Sequence, residues 1–210
     1  NKNWLKIKTS FDNYVGYVKK INYVKEFKPT HKIKKIFATI YKKPNRNSKI
    51  KKKLSLCSFI SVKKKEKKFY KFDNYWIKKN DVAPINKTEN IFSKIKIFKG
   101  VKYKWGGISF KGIDCSALVQ ICYKYNNKFC PRDTKDQIKY FKKKIKLAKI
   151  KKNDLIFWKG HVAVAISKTK LIHAYGPFKK IVIMSIKETI KRIHKTANLK
   201  VTGIRRITNN

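Results

Sequence analysis

Residues 112–125, GIDCSALVQICYKY, decide how the second half of this chain is read. Leu118, Ile121, Cys122 and Tyr125 recur at helical spacing, so a helix with one apolar, core-facing stripe is expected from 115 to about 126. Gly112 and Asp114 are start signals, which put Cys115 in the first turn and off that stripe. Unpaired backbone amides and the positive end of the helix dipole favour a thiolate there. The Cys115 thiol is therefore expected to titrate below its ordinary value of about 8.5. Position alone does not make a nucleophile, because a cysteine in a helix is commonly a small buried hydrophobe.

Working outward from this helix, residues 91–99 read as a shorter helix, followed by a Gly-rich turn in YKWGG. Downstream, FCPRDTKDQIKYFKKK offers Asp133 or Thr134 as the cap of another helical segment. Then come four strand-like runs, DLIFW, HVAVAIS, KLIHAY and IVIMSI, a helix in KETIKRI and a last strand in LKVTGIRRI. Helices first and antiparallel strands afterwards make an α+β order, not βαβ repetition. Before residue 91 the pattern is strand-like throughout. Residues 4–24 alternate apolar and polar residues about a turn at Asp12–Asn13, a β-hairpin. Short strands punctuated by Pro44-Asn45, Asn47-Ser48 and Asp73-Asn74 suggest a small β-barrel between about 30 and 85, and Pro84 with NKTEN reads as a linker.

The composition excludes a disordered tail: 42% of the 210 residues are hydrophobic and 13% aromatic. The formal charge of +45 invites a nucleic-acid reading, but only five of the 56 basic residues are arginine. The lysines are spread along the whole chain, and Lys, Asn, Ile, Phe and Tyr share A/T-rich codons. The charge is thus expected to be largely solvated surface, sticky to polyanions at low salt, without a nucleic-acid recognition motif. Four cysteines (57, 115, 122 and 130) show neither a CxxC pair nor metal-ligand spacing with the four histidines. No stretch approaches the roughly 20 apolar residues that span a bilayer, and no signal peptide is visible, although the first residue is Asn.

Beside Cys115 the second half offers His161 and His173, twelve residues apart on consecutive strands. A connecting loop of odd length, such as Ser167 to Thr169, sets 161 opposite 175 and leaves 173 two residues away on the same face. Thiol, base and orienting group on three elements is the general arrangement for nucleophilic catalysis. Either histidine alone would read as an ordinary strand residue.

The blocks YKWGG, GIDCSALVQ, CPRDTKDQ, KKNDLIFW, GHVAVAIS and LIHAYG, in this order over roughly residues 88–208, resemble the NlpC/P60 family of papain-like cysteine peptidases. Two departures are mild: Ala117 stands where the family usually has the glycine of DCSGLV, and NDLIFW where many members have GDLIFF. ATIYKKPN and YWIKKNDV resemble, more weakly, bacterial SH3-like (SH3b) modules. The resemblance implies an α+β, papain-like domain over 88–210, helices packed on an antiparallel sheet, preceded by an SH3b-like β-barrel over 28–87. Residues 1–27 then resemble the end of a preceding SH3b copy.

By the same resemblance Cys115 is the nucleophile, His161 the general base and acid, and His173 the group that orients His161. Tyr103 and Trp105 line the pocket, Asp114 and Ser116 flank the nucleophile on the substrate side, and Asp133 binds a free L-Ala amine. The plainer readings remain beside these: Tyr103 and Trp105 as core aromatics, Asp114 as an N-cap, Asp133 as a helix start. Cys57, Cys122 and Cys130 are expected in the core, His31 and His194 receive no role, and Arg132 is a neighbouring cation.

The implied activity is hydrolysis of peptidoglycan stem peptides at the γ-D-Glu–diaminopimelate bond of muropeptides with a free N-terminal L-Ala. No metal or cofactor is implied, nor a specific nucleic acid or a membrane span. A monomer is expected, in the cytoplasm, or in the cell envelope if a signal precedes residue 1. The alternatives are an amidase or acyltransferase on the same fold, and a non-catalytic binder of wall or polyanion.

Overall fold

The computed structural model describes residues 3–21 and 27–207. They divide into two compact units, one drawn from residues 3–21, 27–89 and 124–129 and the other from 90–123 and 130–207.

In the first unit, β1 (Trp4–Lys8) and β2 (Val15–Lys19) form an antiparallel hairpin whose turn carries Asn13 at φ 57. Asparagine tolerates this left-handed conformation, which explains the Asp12–Asn13 turn. The expected end of that hairpin at 24, and the stretch just before the expected boundary at 28, fall on residues 22–26 and lie outside the described residues. The other strands are β3 (His31–Ile33), β4 (Phe37–Tyr41), β5 (Lys49–Ser55), β6 (Phe59–Ile60), β7 (Val62–Glu66), β8 (Phe69–Phe72), β9 (Tyr75–Lys78) and β10 (Val82–Pro84). Among the described residues they make a five-stranded sheet, β5-β4-β9-β8-β7, and a three-stranded one, β10-β3-β6. Ile33, Ile40, Ile60, Ile77 and Val82 form the core of these strands. Asp73, at φ 45, makes the turn between β8 and β9.

The second unit begins differently from expectation. Residues 91–99 are not an α-helix; they form turns with one 3₁₀ turn at Ile95–Phe98. Ile91, Phe92, Ile95 and Phe98 are the buried residues of this stretch, a set that fits helical spacing, so the apolar pattern predicts an α-helix where the backbone makes shorter turns. A short hairpin of β11 (Ile108–Ser109) and β12 (Gly112–Ile113) then leads into α1 (Cys115–Tyr125). Glycine is required at position 107, where a Cβ would collide with the Gly112 carbonyl.

Helix α1 is buried nearly all round, not on one stripe: Ala117, Leu118 and Val119 are as enclosed as Cys122 and Tyr125. Small apolar residues and hydrogen-bonded Ser116 and Gln120 complete its other face, so the apolar spacing understated its burial. After α1 come α2 (Thr134–Tyr140), β13 (Lys143–Lys144), β14 (Leu155–Trp158), β15 (His161–Ala165), β16 (Lys170–Tyr175), β17 (Lys180–Ser185), α3 (Ile186–Ala197) and β18 (Val201–Arg206). Ser185 caps α3 by accepting from the Glu188 N–H. The strands pair antiparallel in the order β13-β18-β14-β15-β16-β17. Trp158, Ala163, Ala165, Leu171 and Tyr175 pack with Ile186 and Ile193 of α3 in one core. Among the described residues no helix is long and apolar enough to cross a membrane.

Candidate active site

Strand register brings the two histidines together. Val164 pairs with Ile172 and Ala165 with Leu171, the register that an odd loop between β15 and β16 imposes. His161 and His173 therefore share a face, and His161 Nε2 lies 2.9 Å from His173 Nδ1. His173 is fully buried, stacked on Tyr175 at 4.8 Å between centroids, with its Nε2 3.4 Å from Met184 Sδ. His161, partly exposed, leans against Trp158, its cross-strand partner.

Cys115 is the first residue of α1, and its Sγ is 3.9 Å from the carbonyl oxygen of Gly160, the residue before His161. The Val162 N–H, just beyond His161, also points at this sulfur. The sulfur is thus held against the start of β15, the strand that carries His161. Ala117 donates its N–H to Asp114 Oδ1 at 2.8 Å, which caps the helix, while the Cys115 and Ser116 N–H groups of the first turn point toward the sulfur.

Asp114 is the hub of the site. Arg132 grips it with Nη1 3.1 Å from Oδ1 and Nη2 2.6 Å from Oδ2, and Nη1 also donates to Ser116 Oγ at 2.8 Å. Gly106 N–H donates to Asp114 Oδ2 at 3.0 Å, tying the Trp105–Gly106 turn to the residue before the nucleophile. Gln137 of α2 donates to the backbone carbonyls of Ser116 and Pro131, both at 2.9 Å. Asp133, next to Arg132, begins α2 with its backbone carbonyl, but its half-buried carboxylate makes no cap hydrogen bond. Tyr103 lies against Gly176, and burial raises its phenol pKa, with smaller contributions from Cys115 and Asp114 nearby. Trp105 is 84% exposed.

Electrostatics overturn one expectation. Burial pushes the Cys115 thiol up to about 11; the Val162 N–H opposes that rise, and the Asp114 charge adds to it. Burial also holds His161 down to about 4, and His173 to about 3, the latter helped by its neighbour His161. At neutral pH both shifts favour a neutral thiol and neutral imidazoles over a preformed thiolate. A helix N-terminus lowers a thiol pKa where water can still solvate the charge; at 7% exposure, desolvation outweighs the dipole.

Residues 100–199 match the model of the NlpC/P60 family. The chain carries an NlpC/P60 domain. Over 198 residues it is 31% identical to the γ-D-glutamyl-L-lysine dipeptidyl-peptidase of Bacillus subtilis (strain 168), a match that spans 84% of this chain and 65% of that protein. It is 35% identical over 86 residues to dipeptidyl-peptidase 6 of Lysinibacillus sphaericus, 41% of this chain and 32% of that one. The chain spans less than two thirds of the length of either relative. The crystal structure of an NlpC/P60 family protein from Bacillus cereus ATCC 10987 superposes with a TM-score of 0.80 at 23% identity, covering 98% of this chain and 76% of that one. That likeness establishes a shared fold.

Within the NlpC/P60 domain, Cys115, His161 and His173 come together at one place, and Tyr103, Asp114 and Ser116 adjoin Cys115. Asp133 is joined to them through Arg132, and Trp105 through the Gly106–Asp114 hydrogen bond. The core reading of Trp105 fails, since its ring faces solvent. Asp114 is a cap and also half of an ion pair, so both of its carboxylate oxygens already accept hydrogen bonds from the protein. Arg132 is the residue whose part the sequence left open, although its place in PRD, beside Asp133, was the available signal. Cys57, Cys122 and Cys130 are buried, as expected of core cysteines.

Proposed function

We propose that this protein is a cysteine peptidase that hydrolyses peptidoglycan stem peptides, at the γ-D-Glu–diaminopimelate bond of muropeptides bearing a free N-terminal L-Ala. The observation that carries this reading is the 2.9 Å His161–His173 pair, whose His161 begins the strand against which the Cys115 sulfur is held. In the reaction, His161 takes the thiol proton as Cys115 Sγ attacks the scissile carbonyl. In this reading backbone N–H groups at the start of α1 stabilise the oxyanion of the tetrahedral intermediate. Its collapse expels the amine, which leaves with the proton from His161, and a thioester remains. Water, activated by His161, then releases the acid and restores the thiol. Because thiol and imidazole start neutral, the thiol proton must pass to His161 before or during attack.

The γ-D-glutamyl specificity follows the name of the Bacillus subtilis relative. In the same reading, residues 28–87 are an SH3b-like barrel, 1–27 the end of a preceding copy and 88–210 the catalytic domain, acting as a monomer in the cytoplasm. The deciding experiment is mass spectrometry of products from L-Ala-γ-D-Glu-diaminopimelate. The expected products are L-Ala-D-Glu and diaminopimelate, absent with Cys115→Ala. Release of alanine alone, or an intact peptide, refutes the assignment.

A further inference from the structure

Two neutral imidazoles in contact leave a protonation ambiguity that a third atom resolves. In the His161–His173 pair either ring could donate across the 2.9 Å gap. Only one choice leaves His161 with a free Nδ1 lone pair to accept the Cys115 proton. The atom on the far side of His173 is Met184 Sδ, at 3.4 Å from His173 Nε2. A thioether sulfur has no proton and can only accept. His173 Nε2 must then carry the hydrogen, His173 Nδ1 must accept, and His161 Nε2 must donate to it. The opposite tautomers would set the Nε2 lone pair against those of sulfur, at a fully buried ring.

We propose that Met184 is a positioning residue: its sulfur fixes the tautomer of His173 and, through it, leaves His161 Nδ1 unprotonated as the base. Strand register supplies the geometry. His173 on β16 is opposite Val182 on β17, so Met184, two residues along β17, lies on the same face at the diagonal position within reach of a long side chain. The groups facing His173 are His161 from β15, Tyr175 stacked from its own strand and Met184 from β17. Of these, the sulfur alone can accept from Nε2 in the arrangement seen. Met184 is the one methionine of the chain.

This inference rests on the catalytic roles proposed for Cys115 and His161, but its test needs no muropeptide. Ring nitrogens of 15N-histidine-labelled protein report the tautomer directly. In the unmodified protein His173 should carry its proton on Nε2, with Nδ1 unprotonated. Met184→Leu, which keeps the shape and removes the acceptor, should redistribute that proton and slow iodoacetamide alkylation of Cys115 by about tenfold or more, as expected for a base in the wrong tautomer. Met184→Gln, with an acceptor of similar length, should restore both. A proton on His173 Nδ1 in the unmodified protein overturns the proposal, whatever the variants do. So does a Leu variant whose tautomer and alkylation rate match those of the unmodified protein. If muropeptide remains uncut while the tautomers are as described, the substrate reading fails and the role of Met184 stands.

Discussion

Arg132 and Asp114, eighteen residues apart, form a two-pronged ion pair whose side chains are 13% and 11% exposed. It joins the residue before the nucleophile to the residue before Asp133. A planar fork matches a carboxylate in a way that a single ammonium does not. Arg132→Ala leaves a largely buried carboxylate without its cation, and should lower stability by about 3–5 kcal/mol. Arg132→Lys keeps the charge and should lose less stability, yet still lower kcat/KM by loosening the setting of Cys115. Equilibrium urea unfolding and steady-state kinetics on both variants check this; an alanine variant as stable as the parent contradicts it.

Cys115→Ala should abolish turnover, a fall on the order of 10³-fold or more. Cys122→Ala, on the enclosed side of the same helix, should keep most of the activity and lose only some packing. Comparable losses in the two variants would show that Cys115 is not the nucleophile.

The titration of the site predicts opposite effects at the two ends of the pH scale. His161 and His173 are held at about 4 and about 3 in the folded protein, against an ordinary 6.5. Below pH 6.5 the unfolded chain binds protons that the folded site refuses. Stability present above 6.5 is therefore lost as pH falls toward 4 and then 3. The thiol runs the other way: Cys115 is held at about 11 against 9.0, so its contribution is complete below pH 9 and lost between 9 and 11. Urea midpoints against pH should show a shallower acid limb in a His161→Asn/His173→Asn double variant, and a shallower alkaline limb in Cys115→Ser. Superimposable curves would count against neutral resting groups.

A carboxylate without a cap partner at Asp133 suits an α-ammonium. Acetylating the substrate amine should lower kcat/KM by roughly ten- to a hundredfold, the ~1.5–3 kcal/mol of a charge-assisted hydrogen bond. Asp133→Asn should shrink that discrimination. Equal cleavage of free and acetylated tripeptide by the unmodified protein would remove Asp133 from substrate recognition while leaving the Cys/His/His chemistry intact.

Trp105 offers a clean separation of binding from folding. At 84% exposure, Trp105→Ala should change stability by no more than about 0.5 kcal/mol, as surface substitutions do. If the ring lies along the substrate, KM should rise with kcat little changed. An unaltered KM would assign Trp105 no part in the pocket.

Helical spacing in CSALVQICYKY, turn residues such as Asp73, and the odd loop that sets His161 and His173 on one face were all legible in the sequence, because period and parity are properties of consecutive residues. The ordered blocks around Cys115, His161 and His173 likewise pointed to the family of residues 100–199. Tertiary structure alone decided the rest. The direction in which Cys115 titrates depends on how much water its neighbours exclude, and no local pattern encodes that. The Arg132 clamp, the sulfur behind His173 and the solvent exposure of Trp105 depend on which residues distant in the chain come within a few ångströms. Even the 3₁₀ turn at Ile95–Phe98, where the apolar pattern fits an α-helix, is a choice that local propensity does not make.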